Sequence, residues 1–275
     1  MFLKLMYITN NPEVALIAEK NGVDRIWIDL ETLGKEERQK DMDTVKSEHT
    51  IEDIKKIKPL LKKSEMLVRI NPWNENSIEE INDVIDAGAD IIMLPMWKDV
   101  CTVEKFLECV NNRVKTTLLL ETKEAAECVD DILKMGGFNE IHIGLNDLHL
   151  SYGKKFMFEL LSNGVVENLC NKFKKYKLSY GFGGIAKIGE GMLPAEKIIM
   201  EHFRLDSTRA ILSRSFCDNV SMNNLNEFEK EFEKSMLELS KFESSLSKLE
   251  EKDFEKNRIE VQEDVKKIVE KIERR

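Results

Sequence analysis

Short apolar runs that end at charged or polar side chains recur along this chain, and this repeat limits the fold more than any other feature. Four of these runs are the segments 24–30, 65–70, 115–120 and 138–143. The side chains at or just beyond their ends are Asp29, Glu31, Arg69, Glu121 and Asp147. Parallel strands whose carboxyl ends meet at one place would bring these groups into a single site.

Eight strand-like runs alternate with helical segments within the first 217 residues. This alternation is typical of a parallel α/β fold, and eight repeats predict a closed (β/α)₈ TIM barrel. The continuous apolar run at 91–95 fits a strand that is covered on both faces. An open doubly wound sheet is the alternative, but the G-x-G-x-x-G motif common after its first strand is absent here. Within the barrel, Ser77 followed by Glu80 predicts a helix-capping box.

The chain changes character beyond Cys217, where Glu, Lys, Ser and Leu dominate and apolar residues recur every three or four positions. We therefore predict a barrel domain over residues 1–217 and a long helical C-terminal extension over 218–275. The extension could pack on its own barrel, form a free helical tail, or join subunits by helix exchange or a coiled coil. The last alternative predicts a homo-oligomer held by the C-terminal helices.

Charge and composition exclude several function classes. The formal net charge of -9 argues against a nucleic-acid surface, which usually needs a basic stripe. No apolar run approaches the roughly 18 residues of a membrane span, and the N-terminus lacks a signal-peptide pattern. The cysteines are odd in number and lack CxxC spacing, which indicates reduced thiols in a cytoplasmic protein. They are Cys101, Cys109, Cys128, Cys170 and Cys217.

Two carboxylates at the ends of neighbouring strands predict a cation site. Glu121 and Asp147 each follow a β-run, so their oxygens could hold a hard divalent cation such as Mg²⁺ and leave positions open for substrate. Arg69 is a permanent planar donor that could hold a carboxylate or an enolate oxygen. A structural ion pair between Arg69 and either carboxylate is the alternative interpretation.

Four motifs in order and spacing resemble the HpcH/HpaI aldolase and citrate lyase β-subunit family. They are the segments 67–71, 86–96, 120–122 and 144–153, and the likeness spans about residues 24–216. The resemblance implies a (β/α)₈ barrel that uses a divalent metal, most simply Mg²⁺ with Mn²⁺ or Co²⁺ as alternatives, to hold pyruvate or an enolate.

The resemblance also implies roles for individual residues. Glu121 and Asp147 correspond to the metal ligands, and Arg69 to the arginine that stabilises the enolate oxygen. The backbone amides of Asn146 and Asp147 lie where the family binds the pyruvate carboxylate. These assignments predict a 2-oxo acid as the small-molecule partner.

Proton transfer is where this chain departs from the family pattern. Asp29 and Glu31 match the Asp-x-Glu that closes the second strand, but Thr32 stands where the aldolase branch has a histidine and the lyase branch an aspartate. His49 could replace that histidine if 32–48 is an insertion. His149 could contact substrate, and His142 and His202 read as packing residues.

The predicted function is a metal-dependent carbon–carbon lyase of the class II aldolase type. It would cleave or form a 4-hydroxy-2-oxo acid through a pyruvate enolate, with His49 or a metal-bound water as the base. The alternatives are a citrate-lyase-like enzyme acting on an acyl-CoA or other thioester, and a catalytically reduced barrel that serves as a binding or scaffold protein. A Schiff-base aldolase using Lys123 or Lys187 is a more distant possibility.

Overall fold

Parallel strands and helices alternate along the computed structural model, which describes residues 2–34, 48–216 and 224–274. Most of the predicted polar excursion at 31–49 lies outside these residues. The strands are β1 (Lys4–Ile8), β2 (Arg25–Asp29), β3 (Glu65–Arg69), β4 (Ile91–Leu94), β5 (Lys115–Leu120), β6 (Glu140–Ile143), β7 (Ser179–Phe182), β8 (Gly184–Ile185) and β9 (Arg209–Leu212). The helices are α1 (Pro12–Lys20), α2 (Ile51–Ile57), α3 (Ser77–Asp86), α4 (Val100–Val110), α5 (Lys123–Met135), α6 (Leu145–Ser151), α7 (Glu159–Ser162), α8 (Val165–Lys175), α9 (Ala195–Arg204), α10 (Leu225–Leu246) and α11 (Glu251–Glu273).

The strands form one parallel sheet in the order β7-β6-β5-β4-β3-β2-β1-β9-β8. Only Gly183 separates β7 from β8, so β7 pairs with β6 while β8 pairs with β9. The backbone N–H of Thr208 also donates to the Tyr180 carbonyl, which links β7 to the start of β9. The sheet is therefore a nearly closed barrel whose seventh strand is broken in two. This confirms the predicted fold class and excludes the open-sheet alternative.

Apolar side chains fill both surfaces of the sheet, as expected for strands covered on two faces. The larger cluster lies between the strands and the helices outside them. A smaller cluster fills the middle of the barrel: Met6, Trp27, Leu67, Ile91, Met93 and Leu119. This apolar layer separates polar groups near the starts of the strands from those at the strand ends.

Buried charges close the barrel at the amino-terminal ends of the strands. Arg25 donates to both oxygens of Glu140, one of them at 3.0 Å, and pairs with Glu65 at 3.2 Å. Arg209 Nη2 lies 2.7 Å from Glu140, and the Thr117 hydroxyl donates to the same carboxylate. Burial opposes ionisation of Glu140, but these donors hold its pKa below the ordinary value. The groups are charged partners that depend on one another.

We expect Arg25→Met to lower the free energy of unfolding by about 3 kcal/mol. Removing one partner of a buried ion pair leaves the other insufficiently compensated, and Arg209 limits the loss here. Lys115→Met is the matched control because Lys115 is 56% exposed and its pair with Glu65 should contribute less than about 1 kcal/mol. Urea unfolding of both variants measures the difference. Equal losses would contradict the structural role given to Arg25.

Helix α10 packs on its own barrel against α1 and α9. Phe232 meets Tyr7 of β1 edge to face, with 5.3 Å between ring centroids. The buried carboxylate of Glu243 accepts the backbone N–H groups of Phe2 and Leu3, both at 3.1 Å. Thus α10 takes the position of the last helix around the barrel. The division predicted at residue 217 marks the end of the strand–helix repeats, but α10, which follows it, packs into the same hydrophobic core.

Helix α11 continues around the outside of the barrel against α9 and α7. Its buried Asn257 donates to the Lys197 carbonyl and to Glu201, and Asp264 pairs with Lys197 at 2.7 Å. The extension therefore lies on its own chain here, while a homo-oligomer remains a prediction. None of the described helices is both long and apolar enough to cross a membrane.

Candidate active site

Arg69 lies at the end of β3 and is held by two acidic residues that follow β2. In the sheet register Asp29 lies opposite Arg69, which brings their side chains together. Arg69 Nε and Nη2 donate to the two Asp29 oxygens at 2.8 Å each, and Nη1 lies 3.0 Å from Glu31 Oε2. Burial alone would lower the pKa of Arg69, but the two carboxylates raise it. A guanidinium has five N–H donors, so two remain for a ligand.

Trp27 packs against the Arg69 guanidinium from inside the barrel. The Arg69 Cζ atom lies 5.5 Å from the centroid of the indole ring, within the range of a cation–π contact. Trp27 belongs to the apolar layer inside the barrel. The guanidinium plane is thus restricted by two carboxylates and by an aromatic ring.

Glu121 follows β5 and is 2% exposed, with its carboxylate fixed on two sides. Oε1 accepts the backbone N–H of Met96 at 3.1 Å, and Met96 adopts a φ of 52°, unusual for a residue other than glycine. On the other side, a Cβ on Gly144 would lie 2.8 Å from Oε2 and 2.9 Å from the Glu121 Cβ. The position of the carboxylate therefore depends on the absence of a side chain at residue 144.

We expect Gly144→Ala to weaken Mn²⁺ binding at least about 10-fold and to lower the free energy of unfolding by about 1–3 kcal/mol. The added methyl group would have to displace Glu121, since the backbone of Gly144 is itself compatible with alanine. Calorimetric titration with Mn²⁺ measures the affinity. Gly164→Ala is the control, because its φ of 84° strains an alanine while the new Cβ meets nothing within 4 Å. Equal Mn²⁺ affinity in the two variants would contradict the prediction.

Asp147 lies in the first turn of α6, next to the end of β5. Gly144 donates its backbone N–H to the Leu120 carbonyl, which brings the start of α6 beside Glu121. Burial raises the pKa of Glu121 well above its ordinary value, and the nearby charges of Asp147 and Glu31 raise it further against the opposing effect of Arg69. The two predicted metal ligands therefore lie close enough to repel each other. The amides of Asn146 and Asp147 belong to the first helical turn, where N–H groups have no intrahelical acceptor.

Carboxylates outnumber the guanidinium in this cluster of described residues. Asp29 and Glu31 contact Arg69, Glu121 interacts with the charge of Arg69, and Asp147 lies near Glu121, so the four carboxylates and one guanidinium of the cluster carry a formal excess of three negative charges. Oxygen donors with excess negative charge suit a hard divalent cation. Among the described residues, no cluster of three or more His, Cys, Asp or Glu side chains is arranged to hold a metal. Glu121 and Asp147 could thus supply two ligands, and water or substrate the others.

His49 reaches the site from the chain that precedes α2. The backbone N–H of Asp29 donates to His49 Nδ1 at 3.0 Å. The ring therefore accepts at Nδ1, which places the proton of the neutral imidazole on Nε2. The sequence identified His49 as a candidate residue, whereas its tautomer follows only from the structure.

The other three histidines have structural contacts. His142 Nε2 meets the Gly183 carbonyl at 3.2 Å, and burial lowers its pKa to about 4. His202 stacks on Phe182 with 3.8 Å between ring centroids, and burial lowers its pKa to about 3. The Nδ1 atom of His149, which was a candidate for substrate contact, lies 3.2 Å from the Leu145 carbonyl of its own helix. These contacts account for the positions of the three rings, and a substrate contact of His149 stays a prediction.

The lysines considered for a Schiff base are engaged elsewhere. Lys123 is 54% exposed at the start of α5 and lies 3.7 Å from Glu127. Lys187 lies 3.4 Å from Glu231 of α10. Neither contact favours a lysine nucleophile in the cluster around Arg69.

Sequence reasoning missed three residues that shape this cluster. Met96 and Gly144 position Glu121, as described above. Glu80 was predicted to form a capping box with Ser77, and this is wrong: its carboxylate accepts the backbone and side-chain N–H groups of Asn71 instead. Asn71 belongs to the motif at 67–71, and its position as a polar residue just beyond the end of β3 was the signal that the sequence offered for this contact.

The sequence matches the HpcH/HpaI aldolase/citrate lyase family over residues 3–158. No curated protein matches it. An HpcH/HpaI aldolase from Desulfitobacterium hafniense DCB-2 superimposes with a TM-score of 0.59 and 15% identity, covering 82% of this chain and 89% of that chain. An HpcH/HpaI aldolase/citrate lyase family protein from Burkholderia cenocepacia J2315 superimposes with a TM-score of 0.62 and 13% identity, covering 82% of this chain and 93% of that chain. The citrate synthase SbnG superimposes with a TM-score of 0.57 and 16% identity, covering 77% of this chain and 85% of that chain. At these identities the structures show a shared fold.

Proposed function

Because the chain belongs to the HpcH/HpaI aldolase/citrate lyase family, we propose that it is a carbon–carbon lyase of the class II aldolase type. It would use a divalent cation, most simply Mg²⁺ with Mn²⁺ or Co²⁺ as alternatives, to form or cleave a 4-hydroxy-2-oxo acid through the enolate of pyruvate. The observation that carries this proposal is a cluster of four carboxylates, in which Asp29 and Glu31 bind Arg69 and Glu121 lies close to both Arg69 and Asp147. Such an excess of negative charge is costly to bury unless a cation completes it.

The proposed roles follow from where each group lies. Glu121 and Asp147 would hold the cation, which supplies Lewis-acid stabilisation of negative charge on the substrate. The two remaining Arg69 donors would bind the developing enolate oxygen, and the amides of Asn146 and Asp147 would bind the carboxylate. Asp29 and Glu31 would keep the guanidinium in place before any charge develops, so that little reorganisation is needed during the reaction.

The tautomer of His49 restricts its part in proton transfer. While Nδ1 accepts the Asp29 N–H, Nε2 carries a hydrogen and can only donate a hydrogen bond. To act as the base toward the 4-hydroxyl group, the ring would have to break this bond and turn. We therefore assign His49 a base role only in a turned position, with water as the alternative acceptor.

His49→Asn separates these roles, because Asn Oδ1 can replace Nδ1 as the acceptor for Asp29 while Nε2 is lost. If His49 is the base, we expect aldol cleavage to fall about 100-fold or more while pyruvate C3 proton exchange stays within about 3-fold. Steady-state cleavage assays and NMR exchange measurements on one preparation give both rates. Unchanged cleavage would exclude His49 as the base.

Deuterium incorporation at pyruvate C3 tests the proposed function directly, since it needs the enolate but no knowledge of the aldehyde. The protein is incubated in D₂O with pyruvate and Mg²⁺, Mn²⁺ or Co²⁺, and the methyl signal is followed by NMR. We expect exchange that depends on the metal and stops with EDTA. A folded protein that gives no exchange with any of the metals would overturn the proposal.

A further inference from the structure

Asn71 fastens the chain that follows β2 to the end of β3. Its Oδ1 accepts the backbone N–H groups of Thr32 at 2.9 Å and Leu33 at 3.1 Å, and the Thr32 hydroxyl at 3.3 Å. Thr32 directly follows Glu31, and Asn71 lies two residues beyond Arg69. The two segments that supply Glu31 and Arg69 are therefore joined a second time, immediately beyond their ion pair.

Glu80 of α3 determines which way the Asn71 amide faces. Glu80 Oε1 accepts Asn71 Nδ2 at 2.8 Å and the Asn71 backbone N–H at 3.1 Å. With the amide nitrogen directed to Glu80, the amide oxygen must face Thr32 and Leu33. A reversed amide would place N–H groups against N–H groups on one side and two oxygens together on the other, so only one orientation is favourable.

We propose that Asn71, oriented by Glu80, is a positioning residue that keeps Glu31 against Arg69. This inference rests on the proposed function, because Arg69 is the group that would bind the enolate oxygen. Asp29 already holds Nε and Nη2, so Glu31 controls the remaining nitrogen, Nη1. Releasing Thr32 and Leu33 would free the main chain next to Glu31 and let that side of the guanidinium move. Catalytic groups displaced by a fraction of an ångström lose much of their effect.

A reversal of polarity tests the arrangement. Asn71→Ala removes the acceptor. Asn71→Asp sets a second carboxylate against Glu80, and the repulsion between the two should displace the introduced side chain from Thr32 and Leu33. The double variant Asn71→Asp with Glu80→Gln restores the contacts with reversed polarity, because the introduced glutamine amide can donate to the introduced aspartate carboxylate. Asn74→Ala is the matched control: Asn74 lies in the same loop, and its side chain bonds only to Pro72 and Asn76 among the described residues.

Three measurements on each variant separate the effects. NMR-detected hydrogen exchange of the Thr32 and Leu33 amides reports whether their hydrogen bonds to residue 71 are intact, independently of activity. The kcat of pyruvate C3 exchange at saturating metal reports whether Arg69 is correctly placed for the reaction. The Mn²⁺ Kd reports whether Glu121 and Asp147 still hold the metal. We expect Asn71→Ala and Asn71→Asp to lose amide protection and at least about 10-fold in kcat, with Mn²⁺ Kd within about 2-fold. The double variant should recover both amide protection and kcat, and Asn74→Ala should leave both unchanged.

The outcomes distinguish this inference from the proposed function. Normal kcat despite lost amide protection would overturn the positioning role, as would lost Mn²⁺ binding, which would indicate general damage to the site. Failure of the double variant to recover kcat would overturn it as well. A wild-type protein without exchange would defeat the proposed function and the link to Arg69 together, while the amide protection would still decide whether Asn71 fastens the two segments.

Discussion

Glu121→Gln is expected to reduce pyruvate C3 exchange at least about 100-fold and, in the presence of EDTA, to raise the free energy of unfolding by about 1 kcal/mol. The two effects have opposite signs because the carboxylate is buried beside Asp147 and Glu31. A neutral amide removes this repulsion, still accepts the Met96 N–H, and gains an N–H that can face Asp147. The same change removes half of the protein's proposed ligand set.

Glu124→Gln is the control for this prediction, since Glu124 lies three residues further along and its side chain is 51% exposed. It should change neither exchange nor stability measurably. Urea unfolding with EDTA and NMR-detected exchange with Mn²⁺ give the two quantities for each variant. A Glu121→Gln protein that keeps its exchange activity would contradict the assignment, and one that is several kcal/mol less stable would contradict the described electrostatics.

Arg69→Lys is expected to lower the exchange rate about 100- to 1,000-fold although it keeps the positive charge. A lysine ammonium cannot donate to both Asp29 oxygens and Glu31 while keeping two further N–H groups in the guanidinium plane. One buried carboxylate should lose its partner, which we expect to lower the free energy of unfolding by about 1–3 kcal/mol.

Arg113→Lys provides the comparison at the opposite end of the barrel, where Arg113 Nε and Nη2 donate to the carbonyls of Val110 and Cys109. It should leave the exchange rate within about 2-fold. If Arg69→Lys and Arg113→Lys give the same exchange rate, Arg69 does not contribute through its planar geometry. Single-turnover exchange at saturating Mn²⁺ distinguishes a slower chemical step from weaker metal binding.

Much of the barrel could be predicted because each strand is visible in the sequence as a short apolar run. The apolar runs ending at Arg69, Glu121 and the segment before Asp147 lie in β3, β5 and β6, and a parallel sheet brings their ends together whatever the details of packing. Gly183 shows the limit: nothing in the sequence predicted that this one residue would divide the seventh strand into β7 and β8.

The partners of the charged groups could not be predicted. Arg69 pairs with Asp29 and Glu31 because the register of β2 and β3 places Asp29 opposite it, and sequence spacing does not give register. Asn71 and Thr32 are 39 residues apart, and Met96 reaches Glu121 only through a left-handed backbone. Glu80 had a credible local role as a cap, and a contact to Asn71 took its place.

Diffraction from crystals grown with Mn²⁺ and oxalate, recorded at the manganese absorption edge, tests the proposed cation site most directly. Oxalate is the stable analogue of the pyruvate enolate, and the anomalous signal locates the metal without assumption. We expect one Mn²⁺ ion bound by carboxylate oxygens of both Glu121 and Asp147, with oxalate completing its coordination and contacting Arg69. An Mn²⁺ ion bound elsewhere, or two carboxylates too far apart to share one ion, would contradict the proposal.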